Sequence, residues 1–153
     1  MKKYLLTLLC IAGLAVSTQA QTIKSIPFSK EIRERGNGWH KFQFQGVTYD
    51  VEIAAGGLVQ GNLTWLDGTT YSGSLGGIHI NGKGTYTWAD GSRYEGSFRK
   101  NQRYGKGSMI AKDGSKWSGK WKNDKKNGKG KMFDAKGELI KTGVWQDDKL
   151  VVK

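Results

Sequence analysis

Apolar and polar residues alternate in short runs along this chain, and glycine cuts the runs at regular intervals. His40, Phe42 and Phe44 alternate with polar neighbours, and Val47, Tyr49, Val51 and Ile53 do so after Gln45-Gly46. Leu58 to Trp65, Thr85 to Trp88 and Ser92 to Phe98 carry the pattern onward. A period of two predicts half-buried β-strands, because successive strand side chains point to opposite faces. No segment sustains a helical period, and Pro27 is the only proline, so nothing interrupts the strands.

The interruptions keep time. Asp67-Gly68, Asp90-Gly91 and Asp113-Gly114 recur every 23 residues, and Gly137 takes the next station after Lys136. Tyr71, Tyr94 and Trp117 share the beat, as do Gly73, Gly96 and Gly119. So do Gly82, Gly105 and Gly128, and likewise Gly84, Gly107 and Gly130. Columns on one period define a repeat architecture, in which each unit buries its apolar face against its neighbours. Asp-Gly between alternating segments is a strong hairpin signal, since Gly supplies positive φ and Asp bonds the turn backbone. Each repeat therefore reads as one hairpin plus a connector such as Arg99 to Lys106. Gly96 stands between Tyr94 and Phe98 on one strand face, leaving bare backbone on which a neighbouring ring can lie. The expected fold is all-β: consecutive 23-residue hairpins forming an elongated, twisted, single-layer antiparallel sheet. Gly143 arrives one residue late, which predicts a bulge near Ile140 or a frayed last strand anchored by Trp145.

The units "DGSRYEGSFRKNQRYGKG", "DGSKWSGKWKNDKKNGKG" and "DGTTYSGSLGGIHINGKG" resemble the MORN repeat, a pattern of Y-x-G-x-W, a basic loop, then G-x-G and an aromatic strand. Residues 67 to 135 carry three such units, with partial units on both sides. The resemblance implies consecutive hairpins in one grooved sheet, and attachment to membranes or partner proteins rather than chemistry. This chain departs from the pattern at Leu75, where a large aromatic is usual. It departs again at Asn81, Tyr104 and Asn127, where many members carry His.

Composition adds a compartment and a charge. Lys2 and Lys3 precede an apolar run from Tyr4 to Val16, and Thr18-Gln19-Ala20 offers a small-x-small cleavage signal. Residues 1–20 are thus expected to be a secretory signal peptide, with export to the periplasm or outside the cell. Cys10 lies in that run with Leu9 before it, where lipid attachment would need a small residue, so the mature chain has no cysteine. The rest divides into an N-terminal arm (21–38), a degenerate capping hairpin with the first repeat strand (39–66), and the repeat array (67–153). The arm's segment Ser25 to Arg35 is compatible with a helical turn or a mobile tail. The formal charge is +12, and Arg99 to Lys131 alone holds 12 Lys and Arg against Asp113 and Asp124. A field so concentrated favours polyanions.

Little catalytic chemistry is offered. His40 and His79 lie in different regions, no cysteine remains to join them in a metal site, and Ser72, Ser97 and Ser118 lack a nearby histidine. Asp67, Asp90 and Asp113 belong to turns. The expectation is a non-enzymatic scaffold with no cofactor and no metal, binding a partner protein or an anionic lipid or envelope-glycan surface. Arg99, Lys100, Arg103, Lys122, Lys125 and Lys126, in the recurring basic connectors, are the candidate anion and lipid contacts. Trp88, Trp117 and Trp121 are candidate aromatic contacts, and they carry the alternative reading, a glycan-binding module. Rings among lysines also suit single-stranded nucleic acid, but export argues against that partner. The basic connectors allow peripheral membrane contact, and exposed sheet edges allow homodimerisation.

Overall fold

Two kinds of turn alternate through the repeats, and together they fix the topology there. The computed structural model describes residues 21–152; the expected signal peptide and Cys10 lie outside the described residues. Eleven strands run in chain order: β1 (Gly38–Phe44), β2 (Val47–Ala54), β3 (Gly57–Trp65), β4 (Thr70–Gly77), β5 (His79–Thr87), β6 (Arg93–Arg99), β7 (Gln102–Ile110), β8 (Lys116–Lys122), β9 (Lys125–Phe133), β10 (Leu139–Gln146) and β11 (Lys149–Val152). They form one open antiparallel sheet in which every strand pairs with its sequence neighbour.

On one side of the sheet the Asp-Gly turns behave as the sequence predicts. Trp65, Trp88 and Ala111 each donate to the carbonyl four residues on, and the turn glycine has φ near 90°. Asp67, Asp90 and Asp113 each accept the backbone N–H two residues later. On the opposite side the connector is not a loop. Lys100-Asn101, Asn123-Asp124 and Asp147-Asp148 all have positive φ at both residues, the geometry of a two-residue hairpin turn matched to strand twist. Arg99 to Lys106 therefore divides into the end of β6, a tight turn and most of β7. The second residue of each turn clasps the preceding hairpin. Asn101, Asp124 and Asp148 donate N–H to the carbonyls of Ile80, Arg103 and Lys126, and their side-chain oxygens accept N–H from the same three residues.

The glycine columns converge on one line. Gly61, Gly73, Gly84, Gly96, Gly107, Gly119, Gly130 and Gly143 are successive cross-strand partners from β3 to β10. Rings lie over this ladder. A Cβ on Gly107 would stand 2.1 Å from the Tyr94 hydroxyl, and one on Gly130 would stand 2.3 Å from the Trp117 ring. The hydroxyls of Tyr71 and Tyr94 donate back to the carbonyls of Ser74 and Ser97. The first glycine of each G-x-G pair (Gly82, Gly105, Gly128) has positive φ, and there three residues oppose a single Ser74, Ser97 or Lys120. The bulge expected near Ile140 is present, with the register shifting between Leu139 and Lys141, and Trp145 is buried beyond it.

A single sheet would leave the ring face wet, and two devices prevent this. The rings cover one another edge to face, in a chain from Tyr71 through Phe98, Tyr94, Trp121 and Trp117 to Trp145, with centroids 4.9 to 5.6 Å apart. The N-terminal arm supplies a second layer over the earlier strands. Ile26 is buried, Ile23 and Phe28 pack against the core, Lys24 N–H donates to the Tyr86 hydroxyl, and the Trp88 indole donates to the Thr22 carbonyl. The arm ends in α1 (Lys30–Arg33), capped by the Ser29 hydroxyl, with Ile32 fully buried. Burial of the phenols raises the pKa of Tyr49, Tyr71 and Tyr94, and pushes that of Tyr86 up to about 12.

Candidate functional site

With the rings turned to one face, the other face of β5 to β10 is mostly lysine, serine and threonine, with Val144 on β10 and with Glu95 on β6 between Thr85 and Ser108. These residues bound a groove of about 1290 Å³ whose floor is the backbone of the glycine ladder. The x of each G-x-G pair (Lys83 on β5, Lys106 on β7, Lys129 on β9) stands in it, joined by Lys120 and Lys131. All five lysines are exposed. Thr85, Ser97, Ser108, Ser118 and Thr142 lie among them, and the Ser108 hydroxyl donates to that of Ser118. No carboxylate lines the groove. Glu95, nearby on β6, is held by Arg93 at 2.6 Å.

The local pairing works against itself. Lys106 directly opposes Lys120 across β7 and β8, and Lys122 opposes Lys125 across β8 and β9. Like charges facing across a strand pair destabilise a sheet. These pairs concentrate positive potential on this part of the sheet.

The six cations proposed from the sequence divide into two kinds. Arg99, Lys100, Lys122 and Lys125 are exposed at the tight-turn edge. Arg103 is buried: its Nε donates to Asp124 Oδ1 at 2.7 Å, and its guanidinium lies 4.6 Å from the Trp121 ring. Lys126 points inward, with its ammonium 5.4 Å from the Trp117 ring, and burial lowers its pKa. These two cations brace the ring chain. The aromatic candidates are likewise interior. Trp117 and Trp121 are each 4% exposed, and Trp88 is half-buried beneath the arm. They form the spine, because glycine floors let neighbouring rings close over one another.

Sequence reasoning did not single out the groove lysines, since it treated G-x-G as backbone punctuation. The signal was present in Lys83, Lys106 and Lys129, which keep the 23-residue beat inside the glycine pairs. Asp148, like Asp124, fastens one hairpin to the next. Among the described residues no group of three or more His, Cys, Asp or Glu converges to hold a metal.

The architecture is that of a hairpin-repeat scaffold offering one continuous polar groove. The MORN repeat model matches residues 71–93, 94–116 and 117–138, so the chain carries three tandem MORN repeats. Each matched unit begins on a ring-seating residue (Tyr71, Tyr94 or Trp117). Repeats of this kind occur in binding and scaffold proteins. No curated protein matches the sequence.

Proposed function

We propose that the chain is an exported, non-enzymatic scaffold whose basic face attaches it to an anionic surface of the cell envelope. The observation that carries this reading is the lysine groove, which faces lysine against lysine and whose one neighbouring carboxylate, Glu95, is paired with Arg93. Export rests on the Lys2-Lys3 and Tyr4 to Val16 pattern. Attachment of this kind is electrostatic and weakens as salt shortens the Debye length from about 10 Å at 0.1 M to about 3 Å at 1 M. The mature protein is expected to co-sediment with vesicles containing phosphatidylglycerol, or with purified envelope, at low ionic strength and to be released at about 1 M salt. Failure to bind either surface at low salt would sink the reading.

A partner protein is the second reading. It is favoured by an apolar recess on the ring face, where Met109, Met132, Phe133 and Ile140 surround the edge of Trp117 just beyond Gln21. Attachment that survives high salt would point there. A glycan platform built on Trp117 and Trp121 is disfavoured by their burial.

A further inference from the structure

The groove has a direction and a rhythm, and both constrain what it can hold. Lys83, Lys106 and Lys129 lie on alternate strands of one sheet, all within one groove. Neighbouring strands are about 4.8 Å apart, so the three ammonium stems leave the sheet at intervals of about 10 Å along a line crossing the strands. The groove therefore runs with the sheet axis and suits an elongated occupant. Its floor is glycine backbone, which admits close approach. Its walls carry hydroxyls from Thr85, Ser97 and Ser118. The Glu95 carboxylate, which stands between Thr85 and Ser108 in the same cross-strand row, is paired with Arg93.

We propose that this groove binds a linear acidic polysaccharide, lying across the strands with its anionic groups on the Lys83, Lys106 and Lys129 row and its hydroxyls on the serine and threonine walls. The inference rests on the anionic-surface reading above and names its ligand. Three features separate it from other polyanions. A bilayer is broad, whereas the lysines sit in a groove. Single-stranded nucleic acid is gripped by rings on which bases stack, and no aromatic residue lines the groove. An acidic peptide would satisfy its backbone on a free strand edge, whereas the strands under the groove are paired on both sides.

The test uses the mature protein and three probes: polygalacturonate, oligothymidylate and phosphatidylglycerol vesicles, with neutral dextran as control. Polygalacturonate should bind and dextran should not. Replacing the row (Lys83→Gln with Lys106→Gln and Lys129→Gln) should weaken polygalacturonate about tenfold or more, since each exposed charge contact contributes modestly. Replacing the turn cations (Lys100→Gln with Lys122→Gln and Lys125→Gln) removes equal charge and should change binding less than about twofold. In the unmodified protein, short-chain polygalacturonate should shift the amide resonances of Gly84, Gly107 and Gly130, a readout that holds even if the row variant folds poorly. Equal loss in both variants, or ladder amides that stay still, would overturn the groove assignment. Tighter binding of oligothymidylate would overturn the ligand class. Vesicle binding without polygalacturonate binding would overturn the inference and leave the anionic-surface reading standing. Binding of no anionic probe would remove both.

Discussion

The two ends of the sheet are built from the same hairpin and made stable in different ways. Strands β2 to β5 have a core rich in aliphatic residues (Val47, Val51, Ile53, Leu58, Leu63 and Ile80), each 0 or 1% exposed, and the arm and α1 lie over them. Strands β6 to β10 rely on rings seated on glycine and on one another, braced from within by Arg103 and Lys126. The net charge follows the division. It concentrates where the ring chain is self-sufficient, between Arg99 and Lys131. Where a second layer covers the core, ions pair across it, as Lys24 does with Asp67. A repeat that closes its own core with rings needs no cover, so its other face is available to carry unpaired charge.

The largest expected effect breaks the covered end alone. Ile32→Ala removes the side chain that anchors α1 and should cost about 2–5 kcal/mol, as for other fully buried aliphatic residues. By hydrogen exchange, amides of β2 to β5 should lose protection while those of β8 to β10 keep it. Uniform loss along the sheet would mean that the two ends do not differ in what holds them.

Next in size is a break at the self-closing end. Gly107→Ala places a methyl group 2.1 Å from the Tyr94 hydroxyl, and the ring cannot retreat because Phe98 and Trp121 pack on it. A cost of about 1–3 kcal/mol is expected from overpacking. Gly91→Ala is the control: its added Cβ meets nothing within 4 Å, but φ is +89°, so a smaller cost of about 1 kcal/mol should follow from backbone strain. Thermal melts of the two variants rank ring seat against turn.

This pair also shows what was legible in the sequence. Gly91 announced itself through Asp90, and the ring seats through glycines held in column with Tyr94 and Trp117. The late Gly143 marked its bulge at Ile140. The second set of turns was hidden, because Lys100-Asn101 and Asn123-Asp124 take positive φ without any glycine. Their stabilisation comes from clasps onto residues 21 or 22 positions earlier, which no local pattern displays. The arm was illegible for the same reason: Lys24 meets Tyr86 and Asp67, distant in sequence. The groove was half legible. Its lysines were visible, but which face they share depends on a ladder register that only the folded sheet fixes.

A smaller effect of opposite sign sharpens the charge side of the comparison. Lys120→Glu replaces a like-charged pair with Lys106 by an opposite-charged one. The sheet should gain about 0.2–1 kcal/mol, while binding to an anionic surface should weaken. Stability and binding moving apart in one variant is the signature of a charge kept for an external partner. A variant that loses both, by chemical denaturation and vesicle binding, would show that Lys120 serves the fold.

The smallest effect returns to the arm. Asp67 is held down to about 2, chiefly by the Lys24 side chain and also by the Thr69 N–H. Its folded pKa lies below the ordinary carboxylate value, so its contribution is complete above about pH 4 and is lost as pH falls through about 2. The pair is exposed to solvent, so its loss should loosen the arm without unfolding the sheet. Acidification should therefore raise hydrogen exchange at Lys24, whose N–H is held by the Tyr86 hydroxyl, before any change at Gly107 or Gly130. Asp67→Asn should produce the same loosening at neutral pH and abolish the acid step. If Lys24 and Gly107 exchange together at every pH, the arm and the ring chain form one cooperative unit, and the two ends differ in composition but not in how they come apart.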